Sequence, residues 1–124
     1  MIVGVGVDLL SITRIQSIVS RGTRYSQRFA RRILCERELA EYQLCTIDVL
    51  RIGFLANRWC LKEAIYKAAY PHQVLQWNDV CIYKNGSKPL ADIQWNNELA
   101  NSQVHVSLSH DNDLLIGYAV IEKP

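Results

Sequence analysis

The stretch "RWCLKEAIYKAAY", residues 58–70, decides how the rest of the chain is interpreted. It is typical of a helix in which Trp59, Ile65 and Tyr66 supply apolar bulk. One acidic residue, Glu63, lies among three basic residues, which are Arg58, Lys62 and Lys67. The stretch is therefore either a charged surface helix or one edge of a site that binds phosphate and a metal ion.

The elements before and within this stretch are helical, apart from one strand at the start. The long helix is expected over about 48–70, because a proline at 71 cannot continue it. The valine-rich residues 2–9 predict a strand that ends near Asp8. Ser11 could cap a first short helix, which Gly22 ends. Two more short helices are predicted over about 24–33 and 36–44.

The pattern changes after the long helix. "DVCIYK" and "PLADIQ" flank "NGSK", which is a strong hairpin signal. "QVHVSLSH" alternates, and "LLIGYAVIE" follows a "DND" turn, so these two segments predict a second hairpin. A strand, then helices, then mainly antiparallel strands indicate the α+β class. The whole chain, residues 1–124, is expected to form one domain.

Composition allows a packed core. The chain is 49% hydrophobic and 21% charged, and it contains no apolar run near the roughly 18 residues that a membrane span needs. The apolar start lacks a basic region and a small-residue cleavage site, so we interpret it as a strand and not as a signal peptide. The four cysteines show no C-x-x-C pair, which argues against a zinc site, and reduced thiols are expected.

Basic residues cluster in the first third of the chain. Seven of the 14 basic residues lie between Arg14 and Arg37, and Glu36 is the only acid in that span. The spacing of Arg21, Arg24 and Arg28 allows them to form one stripe on a helix. The stripe is either a solvated face or a binding face for nucleic acid, anionic lipid or an acidic protein.

Other candidates have simple structural alternatives. Gly4 and Gly6 lack the third glycine of a dinucleotide fingerprint, so they are expected to permit close backbone packing. Asp8 follows an apolar strand, where a carboxylate must be solvated, paired or bound to a metal. Glu63 and Lys67 are spaced i, i+4, which fits a surface ion pair or a Mg²⁺ ligand beside a phosphate contact.

The segment "VSLSHD" suggests a hydrolase triad, but no G-x-S-x-G elbow is present. Strand alternation places His110 on the face of Val104 and Val106, whereas Ser109 faces the other way. His110 is therefore either a structural residue at the end of a strand or a ligand contact.

Three blocks together indicate a family. They are "GVGVDLLSITRI" at 4–15, "FLANRWCLKEAIYKA" at 54–68 and "VHVSLSHDNDLLIGYAVIE" at 104–122, and an "NGxKP" element lies between the last two. In these blocks the sequence resembles the holo-acyl-carrier-protein synthases, which are small 4′-phosphopantetheinyl transferases. The resemblance implies transfer of the 4′-phosphopantetheine group from coenzyme A to a serine of apo-acyl carrier protein, in support of fatty acid biosynthesis.

The resemblance also implies residue roles. Asp8 and Glu63 match the Mg²⁺ ligands, and Lys67 matches the lysine at the pyrophosphate. Arg58 and His110 match contacts to the nucleotide part of coenzyme A. The residues that match the basic face for the carrier protein are Arg14, Arg21 and Arg24. Either Glu63 or a metal-bound water held by Asp8 could take the serine proton.

The family forms homotrimers with active sites at subunit interfaces, and the expectation is that Asp8 comes from one subunit and Glu63 and Lys67 from a neighbour. The sequence departs from the family at "AYPHQ", residues 69–73, where a glycine-rich turn is usual. A cytoplasmic protein is expected, or a mitochondrial one if the source is eukaryotic. The alternative function is a basic module that binds nucleic acid; it would leave Asp8 and Glu63 unexplained.

Overall fold

The structure is a computed structural model that describes residues 1–124. The chain begins with strand β1, Ile2–Ser11, which is followed by four helices. The helices are α1, Ile12–Val19; α2, Thr23–Ile33; α3, Glu36–Tyr42; and α4, Asp48–Ala69. Four strands complete the chain: β2, Val80–Asn85; β3, Lys88–Ile93; β4, Gln103–Asp111; and β5, Leu114–Glu122. A 3₁₀ turn, Trp77–Asp79, leads into β2.

The main sheet is antiparallel, with the strand order β1-β5-β4, and β2 and β3 form a separate hairpin. Helix α4 has 22 residues and crosses the inner face of the main sheet. Its buried side chains belong to two apolar clusters, one shared with the strands and one shared with the short helices. The predicted α+β architecture is confirmed, and so are both predicted hairpins. No helix has the length and apolar character required to cross a membrane.

Two glycines of β1 allow α4 to lie directly on the strand. A Cβ atom built on Gly4 would be 1.8 Å from the carbonyl oxygen of Ala68, and one built on Gly6 would be 1.8 Å from that of Ala64. Only glycine permits such an approach, because any side chain would overlap the helix backbone. The predicted role of these glycines in close packing is confirmed, and it fixes which residues of α4 lie beside the end of β1.

The opposite face of the sheet carries exposed apolar side chains. On β1 these are Val5, Val7 and Leu9, which are 51%, 48% and 63% exposed. Their neighbours across β5 include Tyr118 and Ile116, which are also exposed. A contiguous apolar surface of this kind is typical of an interface.

Element boundaries differ slightly from the sequence predictions. Strand β1 extends past Asp8 to Ser11, because its pairing with β5 continues to Leu114. Ser11 does occupy the N-cap of α1, but its hydroxyl bonds to Thr13 Oγ1 at 2.7 Å and does not cap the helix. Gly22 does not end α1; it precedes α2 with a φ of 118°, a conformation that favours glycine.

The prediction of four reduced thiols is wrong for two cysteines. Cys35 and Cys81 form a disulfide bond, and their Cα atoms are 5.7 Å apart. They are separated by 46 residues, so only the packing of α3 against β2 brings them together, and sequence spacing gave no signal. Cys45 and Cys60 are free thiols.

Candidate active site

The centre of the candidate site is an ion pair between β1 and α4. Lys67 Nζ lies 3.2 Å from Asp8 Oδ1 and also donates a hydrogen bond to the carbonyl oxygen of Val7 at 2.9 Å. The Asp8 side chain is 15% exposed and the Lys67 side chain is 50% exposed. The pair is thus open to solvent on the lysine side, where a ligand could reach it.

Glu63 is the third member of the site. Burial raises the pKa of its carboxyl group, the negative charge of Asp8 raises it further, and the positive charges of Lys67 and Arg14 lower it. Glu63 is one helical turn before Lys67 on α4, so the two side chains share the helix face on which Lys67 contacts Asp8. The close approach of Gly6 to Ala64 explains this arrangement, because it places the turn of α4 that carries Glu63 beside the end of β1.

The predicted division of these residues between subunits is wrong. Asp8 and Lys67 are in direct contact within one chain. The physical reason is the glycine-mediated packing of α4 on β1, which brings residues distant in sequence together without a second subunit.

Cys60 lies on α4 beneath the backbone of Asp8. Its thiol donates to the backbone carbonyl oxygen of Asp8 at 3.4 Å and lies 3.8 Å from the carbonyl oxygen of Leu115. Burial raises the pKa of Cys60 to about 12, with a further contribution from Asp8. Cys60 is therefore a neutral packing residue that supports the backbone of Asp8, a role that the sequence did not indicate.

Arg14 differs from the other two arginines of the predicted carrier face. It is exposed on α1, its guanidinium lies 5.8 Å from the centre of the Trp59 ring, and its charge reaches Glu63. Arg21 is also exposed, but its contacts are local: it lies over the Tyr25 ring and donates to the Tyr25 hydroxyl at 2.8 Å. Arg24 is exposed at the start of α2.

The structure does not bring Arg58 to the site. Its side chain is only 6% exposed, it lies 3.6 Å from the centre of the Phe54 ring, and it pairs with Glu38 at 3.9 Å and Glu41 at 3.7 Å. Burial lowers its pKa, and the two glutamates oppose that effect. Arg58 is part of the packing between α4 and α3, and its contact with a nucleotide stays a prediction.

A buried ion pair lies behind Glu63 and was missed by the sequence reasoning. Lys62 Nζ is 2.6 Å from Glu38 Oε1 and also donates to the carbonyl oxygens of Ile33 and Trp77. Glu38 accepts further hydrogen bonds from the backbone amides of Cys35 and Ile82. Lys62 is thus a structural member of the "KEA" motif, and no local pattern shows that its partner is 24 residues earlier in the chain.

His110 lies at the same end of the main sheet as Asp8, but on the opposite edge strand, β4. It pairs with Leu115 on β5, and β5 separates it from β1. It is exposed, and Ser109 points to the other face, which agrees with the alternation predicted from the sequence and argues against a hydrolase triad. Within one chain, therefore, β5 lies between His110 and the strand that carries Asp8.

A cavity of about 170 Å³ opens beside Glu63. Its walls combine apolar and polar side chains, which are Lys62, Glu63, Tyr66, Leu75, Gln76, Trp77 and Val80. The cavity connects the "KEA" motif to the turn before β2, so a ligand at Glu63 has an adjacent partly apolar pocket.

The turn that departs from the family pattern is fixed by its own hydrogen bonds. The Gln73 amide donates to Ala69 O at 3.1 Å, and the Gln73 side chain bonds to Gln94 and Asn96. His72 Nδ1 lies 2.6 Å from Glu98. The backbone N–H of Gln73 therefore already has a hydrogen-bond acceptor. The Gln73 side chain links the turn to the connection between β3 and β4.

The acidic pair fits a small hard cation. Asp8 and Glu63 provide carboxylate oxygens, the ligand type that Mg²⁺ prefers, and neither carboxylate is enclosed by a dedicated cage of protein ligands. A divalent cation would favour the ionised form of Glu63 against the burial and the Asp8 charge that raise its pKa.

Comparisons with known proteins agree with this geometry. The family model of the 4′-phosphopantetheinyl transferase superfamily matches residues 4–119. A holo-[acyl-carrier-protein] synthase of Desulfovibrio desulfuricans is 30% identical over 130 residues, covering 98% of this chain and 98% of that protein.

Solved structures show the same fold. The holo-[acyl-carrier-protein] synthase of Neisseria meningitidis has a TM-score of 0.79 at 27% identity, over 99% of this chain and 100% of that one. A holo-(acyl-carrier-protein) synthase of Bacillus anthracis, solved in complex with CoA (3′,5′-ADP), has a TM-score of 0.80 at 26% identity, over 100% and 99% of the two chains. The present chain belongs to the 4′-phosphopantetheinyl transferase superfamily.

Proposed function

We propose that this enzyme is a holo-acyl-carrier-protein synthase, which transfers the 4′-phosphopantetheine group from coenzyme A to a serine of apo-acyl carrier protein and releases adenosine 3′,5′-bisphosphate. The observation that carries the proposal is the convergence of Asp8, Glu63 and Lys67 at the junction of β1 and α4. The coenzyme A complex of the Bacillus anthracis relative supports the choice of donor.

The reaction is a phosphoryl-type transfer, in which the protein mainly positions the reactants and stabilises charge. Lys67 places a positive charge at the edge of the site, where it can meet the departing phosphate. Asp8 and Glu63 would hold Mg²⁺, which supplies Lewis-acid polarisation of the phosphoryl oxygens when it is bound. The Lys67 ammonium is held in place by its hydrogen bonds to the Val7 carbonyl oxygen and the Asp8 carboxylate.

The exposed apolar face of the sheet supports self-association, and we propose the homotrimer that the family resemblance implies. Val5, Val7 and Leu9 form a ridge on β1 that continues across β5 through Tyr118 and Ile116. Burial against neighbouring copies would remove this surface from water. Asp8, Glu63 and Lys67 would come from one chain, and the exposed His110 would be free to contact coenzyme A at a subunit interface.

Arg14, Arg21 and Arg24 are proposed as contacts of the acidic carrier protein, since all three are exposed on α1 and α2 or the turn between them. The structure does not support the alternative function of nucleic-acid binding. The Phe29 ring stacks against Trp59 with 5.5 Å between the ring centres, and the Arg21 guanidinium lies over the Tyr25 ring. Neither ring is therefore free to stack on a nucleic-acid base. We place the reaction in the cytoplasm, or in mitochondria if the source is eukaryotic, in support of fatty acid biosynthesis.

Mass spectrometry of apo-acyl carrier protein tests the proposal directly. The carrier is incubated with coenzyme A, Mg²⁺ and the enzyme, and a mass gain equal to one phosphopantetheine group is expected on the acceptor serine. The variant Glu63→Gln should lose most of this mass gain. Glu122→Gln is its matched control, because Glu122 is exposed at the end of β5 far from Asp8. The absence of any mass gain with several acidic carrier proteins would contradict the proposed function.

A further inference from the structure

The disulfide joins two elements that also enclose the buried Glu38. Cys35 is the N-cap of α3, where its sulfur accepts from the Glu38 amide at 3.4 Å, and Cys81 lies on β2. The Glu38 carboxylate spans the same junction, because it accepts from the Cys35 amide at 2.8 Å and the Ile82 amide at 3.0 Å. Arg37 reinforces the contact by lying 4.7 Å from the centre of the Tyr83 ring.

This junction is connected to the candidate active site through Lys62. Lys62 pairs with Glu38 at 2.6 Å and donates to the carbonyl oxygen of Trp77 at 3.2 Å. Trp77 in turn lies 4.8 Å from the Trp59 ring and lines the cavity beside Glu63. The covalent link between Cys35 and Cys81 therefore restrains the segment that forms one wall of the cavity.

The disulfide borders a groove that is open to solvent. Both cysteines are half-buried and line an open groove whose other walls include Arg37, Asp79 and Asp92. Cys60, in contrast, is fully buried beneath the backbone of Asp8. Cys35–Cys81 is the sulfur–sulfur bond that links α3 to β2, so its reduction removes a covalent link between these two elements.

We propose that Cys35 and Cys81 are a redox-modifiable site that controls how tightly the Trp77–Ile82 segment is held against α3 and α4. A dithiol reductant breaks the sulfur–sulfur bond: two electrons and two protons pass to the sulfurs of Cys35 and Cys81, and the reductant becomes a disulfide. The reverse step forms the bond at the expense of a small-molecule disulfide, which is released as two thiols. The oxidised chain is the more rigid form.

The test compares the full chain after treatment with oxidised glutathione and with dithiothreitol. Thiol alkylation followed by peptide mapping should leave Cys35 and Cys81 unlabelled in the oxidised chain and label both in the reduced chain. Reduction should lower Tm by at least about 4 °C and accelerate amide exchange in residues 77–82. These readouts do not depend on transferase activity, so they can fail or succeed independently of the proposed function.

Two variants make the result specific. Cys35→Ser keeps an oxygen that can cap α3, and its Tm and exchange should no longer respond to dithiothreitol. Cys45→Ser, at a free half-buried cysteine, should respond like the unaltered chain. Labelling of both cysteines after oxidation would overturn the proposal, as would equal Tm and exchange in the two states. Protection of the reduced thiols by added Zn²⁺ would also overturn it in favour of a metal site formed with Glu38.

Discussion

The α carbon of Gly6 lies so close to the carbonyl oxygen of Ala64 that an added methyl group would be 1.8 Å from it. The obstacle is helix backbone, which cannot rotate away as a side chain could. This contact sets the distance between β1 and α4, and it therefore determines whether Asp8 meets Lys67. Packing and the candidate site depend on the same glycine.

Gly6→Ala is expected to destabilise the chain by about 3 kcal/mol or more, which is the upper end of the range for overpacking, because α4 must move away from β1. Gly53→Ala is the matched control, since a methyl group there meets nothing within 4 Å and alanine favours the interior of α4. That variant should gain about 1 kcal/mol. Urea denaturation measures both, and equal stability of the two variants would contradict the packing argument.

Lys62 and Glu38 offer a test of the buried ion pair. Lys62→Met alone is expected to lower the free energy of unfolding by about 3 kcal/mol, because it removes the closer charge partner of the buried Glu38 carboxylate and leaves only Arg58 at 3.9 Å. Glu38→Gln added to Lys62→Met should recover part of this loss, since an amide is neutral and its single oxygen still accepts from one of the two backbone amides, Cys35 or Ile82, that donate to separate carboxylate oxygens. A double-mutant cycle by urea denaturation gives the coupling energy. Independent, additive effects would show that the pair is not coupled.

Asp8→Asn and Glu63→Gln should each lower kcat/KM by about 100-fold or more, because each removes one charge from the proposed cation site. Chelation of Mg²⁺ by EDTA should reproduce the effect in the unaltered enzyme, and added Mg²⁺ should restore the activity. The far-UV circular dichroism and Tm of the variants establish that they are folded. Full activity in EDTA would rule out the metal.

Mixed oligomers test whether the site belongs to one chain. Because Asp8 and Lys67 are in contact within a single chain, a mixture of Asp8→Asn and Lys67→Ala subunits should regain no activity. No subunit in the mixture contains both intact residues. Subunit exchange is verified first by native mass spectrometry with isotope-labelled chains. Recovery of activity after proven exchange would show that the site is divided between subunits.

Sequence reasoning predicted the local features and missed the long-range ones. The hairpins, the extent of α4 and the role of Gly4 and Gly6 follow from short patterns, and all are present in the structure. The disulfide, the pairing of Lys62 with Glu38 and the burial of Arg58 depend on how α3 packs against β2 and α4. Contacts between residues 24 or 46 positions apart leave no periodic signal in one sequence, and so they had to come from the structure.

The arginines of the first two helices should separate into two functional groups. Arg14 lies over Trp59 and within electrostatic reach of Glu63, whereas Arg21 contacts only the local Tyr25 ring and Arg24 is exposed at the start of α2. The carrier-protein face is therefore tested most cleanly at Arg21 and Arg24. Charge reversal at Arg14 would also disturb the site itself, and it should lower kcat in addition to its effect on carrier binding.

Arg21→Glu with Arg24→Glu is expected to raise KM for the carrier protein at least 10-fold and to leave KM for coenzyme A nearly unchanged, because like charges would face each other only at the carrier interface. The wild-type KM for the carrier should increase with salt, since exposed charges are screened beyond about 8 Å at physiological ionic strength. The double variant should lose most of that salt dependence. Arg31→Glu with Arg32→Glu, on the last turn of α2, is the matched control with the same change in net charge. Steady-state kinetics at two salt concentrations provide the measurement. If both double variants raise KM for the carrier equally, the effect comes from net charge, and the Arg21–Arg24 surface has no specific role in binding the carrier protein.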